Sequence, residues 1–99
     1  MKPTNKLESG TSFFGDTIIT TLSNLKLMLG EPHYTGDTQS KVQNEWLMET
    51  NDGEVFTVYD WKTYRYYTNT EVLSWHIGGF NKQATQKAQQ ELVETLKTL

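Results

Sequence analysis

Glu45-Trp46-Leu47-Met48-Glu49-Thr50-Asn51-Asp52-Gly53-Glu54-Val55-Phe56-Thr57-Val58-Tyr59 is the stretch whose reading decides the fold. Asp or Asn followed by Gly accepts the positive φ that hairpin turns require. Asn51-Asp52-Gly53 therefore predicts a turn between a strand over 41–50 and a return strand over 54–61. Two registers compete. A two-residue Asp52-Gly53 loop divides the large apolar side chains between both faces. A three-residue loop pairs Met48 with Phe56 and Trp46 with Val58, and gathers Val42, Trp46, Met48, Phe56 and Val58 on one face. A one-residue slip turns every side chain over, so this clustering favours the three-residue loop.

Outward from the hairpin, residues 71–79 predict a third strand in which Leu73, Trp75 and Ile77 alternate with Ser74 and His76. Asn81 then caps a closing helix, whose stripe of Ala84, Ala88, Leu92 and Leu96 steps by four, widened by Val93 and Leu99. Upstream, residues 12–20 suit a short extended segment bent at Gly15. Thr20 or Thr21 caps a short helix carrying Leu22, Leu25, Met28 and Leu29, which Gly30 and Pro32 stop. Residues 33–40 are turn-rich, and residues 62–70 form a second polar connection. Residues 1–10 are expected as a loose arm ahead of one domain over 11–99. The predicted class is α+β: a three-stranded antiparallel sheet plus the short N-terminal extended segment, with two helices packed on one face.

Composition narrows the function classes. With 99 residues the chain has room for one domain, burying about 65% of the surface its unfolded form exposes. The absence of cysteine excludes disulfides and thiolate metal sites. A net charge of −3 argues against a general nucleic-acid or membrane-surface binder. No apolar run reaches the ~20 residues of a membrane span, and no apolar stretch follows the first six residues as in a signal peptide. Hydrophobic content is only 35%, yet aromatics reach 12%, so rings must do much of the packing. Eight of the twelve lie between Phe56 and Phe80, which makes that segment the place to look for a site.

In the favoured register Tyr59 and Trp61 point away from the helix-covered face, as does His76. Two roles suit such rings. They can pack on the Tyr64–Tyr67 loop or on a second protomer, giving a homodimer, or they can stack a planar ligand such as a nucleobase. Gly78-Gly79 ends a strand just before the helix start at Asn81. Paired glycines permit close backbone approach, and a helix N-terminus holds anions, so a phosphate could sit there beside His76. The competing role of Gly78-Gly79 is simply to turn the chain into the helix. Asp60 falls on the apolar face, where it must cap a loop, pair with Lys62 or Arg65, or serve as a base. Asp16, Glu45 and His33 add further acid–base groups without a demanding spacing. Two histidines 43 positions apart make no metal motif, and no cofactor is implied. Lys62-Thr63-Tyr64-Arg65-Tyr66-Tyr67 interleaves bases and rings. Tyr64, Arg65, Tyr66 and Tyr67 are therefore candidate interface residues, although the chain's acidity counts against nucleic acid.

The strings Leu29-Gly30-Glu31-Pro32-His33, Lys41-Val42, Glu45-Trp46, Asp52-Gly53, Tyr59-Asp60-Trp61-Lys62 and Trp75-His76-Ile77-Gly78-Gly79 give the chain a family likeness. It resembles a small, uncharacterised family of tailed-phage proteins across roughly residues 15–92. Leu29 stands where the family pattern has an aromatic, and the tyrosines of 64–67 are particular to this chain. The resemblance implies a viral origin, a compact single domain and residence in the cytoplasm of an infected host cell; it implies no activity.

Three functions fit these expectations. The first is a non-enzymatic protein that blocks or sequesters a host factor, such as a component of host defence. The second is a nucleotide-binding sponge using Tyr59, Trp61 and His76 for the base, with Gly78, Gly79 and Asn81 for phosphate. The third is a small hydrolase using His76 with Asp60 or Asp16.

Overall fold

The computed structural model describes residues 1–99. Its elements run β1 (Lys2–Pro3), β2 (Ser12–Thr21), α1 (Leu22–Leu29), β3 (Tyr34–Thr35), β4 (Asn44–Glu49), β5 (Val55–Tyr59), β6 (Val72–Gly79) and α2 (Lys82–Leu96). The central hairpin takes the three-residue register, with Trp46 opposite Val58 and Met48 opposite Phe56. Gly53 adopts φ 87° and its N–H donates to the Thr50 carbonyl, while the Glu54 N–H donates to Thr50 Oγ1. Trp46, Met48, Phe56 and Val58 are all buried. Val42 does not join them. The chain leaves the ladder ahead of Asn44, where the N–H groups of Gln43 and Asn44 donate to Asp60, and Val42 lines a hollow with Thr57 and Trp61 instead.

The expected sheet of three strands is in fact one of six, ordered β1-β4-β5-β6-β2 with β3 also paired to β4, and all pairs are antiparallel. The largest difference is β2. Residues 12–21 form a ten-residue strand along the whole of β6, not a short segment beside the sheet. Its β-branched run Thr17-Ile18-Ile19-Thr20-Thr21 favours extended backbone. The bend at Gly15 is a bulge, since four residue steps along β2 (13 to 17) span two along β6 (78 to 76). Within the first ten residues, expected as a loose arm, residues 2–4 run back along β4: β1 pairs with Glu49 and Met48, and the Thr4 N–H donates to the Leu47 carbonyl.

The helices also differ from a pair laid together over three strands. α2 packs across β2, β6 and β5, whereas α1 springs directly from the end of β2 and packs on that strand and on α2. Thr21 caps α1 by accepting from the Asn24 N–H at 3.1 Å, and Gly30, at φ 85°, ends it. Asn81 caps α2 by accepting from the Ala84 N–H at 2.8 Å. Leu25, Leu29, Ala88 and Leu92 meet Trp46, Trp75, Phe56 and Ile77 in a single buried cluster. Each fully buried large apolar side chain there contributes about 1.5–3 kcal/mol. Trp46 and Trp75 meet edge to face at its centre, 5.7 Å apart, and their indole N–H groups donate to the Gly30 and Thr20 carbonyls.

Side chains cover some of the backbone groups that the ladders leave free along β4 and β2. On β4, His33 bridges the gap between the short strands: its Nδ1 accepts from the Leu47 N–H at 2.9 Å. On β2, Lys82 and Gln89 of α2 donate to the Phe14 and Thr17 carbonyls. Covering edge groups in this way prevents sheet-to-sheet aggregation. No helix is long and apolar enough to cross a membrane.

Candidate functional site

Alternation along β5 and β6 sends Tyr59 and His76, which are cross-strand partners, to the face opposite the helices. Trp61 follows Tyr59 beyond the end of β5 and joins the same face. The three rings meet there: Tyr59 lies 5.4 Å from His76 and 6.1 Å from Trp61, both edge-on, and Trp61 stacks loosely with His76 at 6.3 Å. A fourth ring completes the group. Phe13 stacks on His76 with centroids 3.9 Å apart and planes 12° apart. Phe13 and Trp61 remain 42% and 43% exposed, so the array is a surface and not a second core.

Beside the rings lies a hollow of about 180 Å³, walled by Val42, Glu45, Thr57, Tyr59, Trp61 and Gly78 with Thr11 and Ser12. Gly78 leaves its floor open, because a Cβ there would stand 2.5 Å from Thr57 Oγ1. Burial lowers the pKa of His76 below its ordinary 6.5, so the imidazole is neutral at pH 7. Burial also raises the carboxyl pKa of Glu45, and the charges of Glu8 and Asp60 push it the same way. Tyr59 is raised by burial and by Glu45.

The phosphate half of the expected nucleotide site is elsewhere. Gly78 and Gly79 are ordinary strand residues, paired with Phe13 and Thr57 and with Ser12 and Phe56. Neither has a positive φ. Gly79 faces α2, where a Cβ would stand 2.9 Å from Thr85 Cγ2, so close helix packing explains the glycine. The start of α2 already holds a carboxylate of the chain itself: Asp16 accepts from Thr85 Oγ1 at 2.7 Å and Lys82 Nζ at 3.0 Å. Burial raises the Asp16 pKa, but the Thr85 and Lys82 hydrogen bonds outweigh it and hold the carboxyl below its ordinary value. Thus Tyr59, Trp61, His76 and Gly78 are brought together on one face, while Gly79 and the helix capped by Asn81 lie on the other.

The expected acid–base pairs are likewise divided by the sheet. Asp60 is buried on the core side, where it accepts from the Gln43 and Asn44 N–H groups at 2.8 and 3.0 Å and from the Tyr67 hydroxyl at 2.8 Å. Its role is to cap the break before β4, and it pairs with neither Lys62 nor Arg65. Asp16 shares the helix side with Ile18 and Thr20, away from His76. Tyr67, expected at an interface, belongs to the core: it is 7% exposed, packs edge-on against Trp75, and its hydroxyl also accepts from Asn44 Nδ2 at 2.6 Å. Burial and the Asp60 charge raise its pKa. Tyr64 and Tyr66 stay exposed, and Arg65 is engaged by Glu71. No group of three His, Asp or Glu side chains converges as a metal set.

Phe13 is the member of the array that the sequence reading missed. The signal was the Phe13-Phe14 doublet, since consecutive strand residues face opposite sides and one ring must point outward. Comparison with protein-family models, curated proteins and solved structures finds no match to this chain.

Proposed function

We propose that this is a small non-enzymatic binding protein that captures a protein partner on the open face formed by Phe13, Tyr59, Trp61 and His76, and so blocks or sequesters it. The observation that supports this reading is the four-ring array itself, stacked, contiguous and left uncovered by the helices. Aromatic residues dominate the energetic centres of protein interfaces, and rings held rigid against one another lose little entropy on binding. The adjoining hollow of about 180 Å³ suits a single inserted side chain. The partner that the resemblance to tailed-phage proteins implies is a factor of an infected host cell, with host defence as one target class.

The test is a selection from a displayed library of host protein fragments, run in parallel with the wild type and a Phe13→Ser/Trp61→Ser variant. Fragments that bind the wild type, lose binding to the variant, and shift the amide resonances of β5 and β6 support the reading. Fragments that bind both proteins equally, or the recovery of none, overturn it.

A further inference from the structure

Glu45 is an acid without a partner beside an aromatic corner. It pairs with Tyr59 across the β4–β5 ladder, which sets the two side chains next to each other on the open face. Tyr59 and Trp61 stand at 80° to one another, so the hollow has two ring walls and a carboxylate at its side. Glu45 takes part in none of the chain's ion pairs. The charges that reach it, from Glu8 and Asp60, are both negative. A second, more open hollow of about 410 Å³, lined by Tyr34, Ser40, Lys41 and Val42, meets the first at Glu45 and provides a path along which an extended segment can lie. Trp61 already attracts a cation on its ring, since Lys62 Nζ sits 5.5 Å from the centroid.

From this charge and shape we infer that the Tyr59–Trp61–Glu45 hollow receives an arginine side chain of the partner protein. A guanidinium is flat enough to lie against a ring face while its N–H fork donates to a carboxylate, which an ammonium does less well. It would give Glu45 the ion-pair partner that the chain itself does not supply. The inference rests on the open face being a docking surface and specifies the chemistry at its centre.

The probes are two capped tripeptides, glycyl-arginyl-glycine and its citrulline counterpart, which has nearly the same shape but no charge. Trp61 is a private reporter, because the indoles of Trp46 and Trp75 are buried and hydrogen-bonded. The expected result is a saturable shift of the Trp61 indole N–H with the arginine peptide and none with citrulline. Glu45→Gln, a near-isosteric change on a half-buried side chain, should weaken arginine binding about tenfold, the loss of a charged hydrogen bond. Glu54→Gln, the same charge change at an exposed position away from the hollow, should leave it unaltered. Equal shifts with both peptides, no saturable shift, or binding unchanged in Glu45→Gln would each overturn the arginine pocket. If the inference fails while library fragments still depend on Phe13 and Trp61, the docking face stands without it. Fragments indifferent to those rings overturn the face itself.

Discussion

Phe13 and His76 are not cross-strand partners, yet their rings stack face to face at 3.9 Å. Phe13 sits opposite Gly78, and His76 opposite Thr17. The bulge at Gly15, with φ 98°, supplies the two extra residues between them. One irregularity thus brings an N-terminal phenylalanine onto a histidine more than sixty positions away.

That cover has a pH consequence. The folded-state pKa of His76 lies below 6.5, so as pH falls through 6.5 the unfolded chain takes up the proton first and stability declines. Comparing wild type with His76→Gln by urea denaturation from about pH 7.5 to about pH 5 isolates this contribution, and the wild type should lose more. In NMR titration the His76 midpoint should fall below 6.5 and rise when Phe13→Ala removes the covering ring. A midpoint at or above 6.5 in the wild type contradicts the assignment.

The Tyr67 hydroxyl links Asn44 to Asp60 inside the core. Tyr67→Phe keeps the ring but leaves the buried carboxylate one donor short, at a cost of about 1–3 kcal/mol. Tyr66→Ala, at a position 79% exposed, should change stability by no more than about 0.5 kcal/mol. Equal effects in chemical denaturation would show that the two tyrosines have been given the wrong roles.

Gly79 packs under α2 against Thr85. Gly79→Ala should cost about 1–3 kcal/mol through overpacking. Thr85→Ser removes the obstructing methyl and retains the hydroxyl that donates to Asp16. The double variant should therefore be more stable than the sum of the single effects predicts. Strict additivity would locate the strain elsewhere.

Trp46→Ala removes a fully buried ring, its edge contact with Trp75 and the indole donor to the Gly30 carbonyl at the end of α1. A loss of about 3–5 kcal/mol is expected in thermal or urea unfolding. A loss below 1 kcal/mol would mean that the hairpin face is not the core.

What could be read from the chain alone was what a few neighbouring residues decide. Asn51-Asp52-Gly53 carries its own turn geometry, and with the alternation around it the hairpin register follows. Thr21, Gly30 and Asn81 act on backbone groups no more than four residues away, so both helix starts and the first helix end were legible. Burial of Asp60 was also visible, because strand alternation alone sets its side.

Other features depend on residues far apart in sequence. The pairing of β2 with β6 joins segments about sixty residues apart, and nothing in Ser12–Thr21 names its partner. Tyr67 stands in a polar, tyrosine-rich run whose composition suggests a surface, and only Asp60, Asn44 and Trp75 together draw it inside. Gly78-Gly79 shows the same division. The sequence signals close approach at that point, but the approaching groups are Thr57 and Thr85 of this chain and not a phosphate. By itself the sequence determined an α+β chain with a central hairpin and rings that cannot all be buried. The tertiary structure alone decided which rings share the open face and which acid faces them, because packing across the sheet brings distant segments together where local geometry cannot reach.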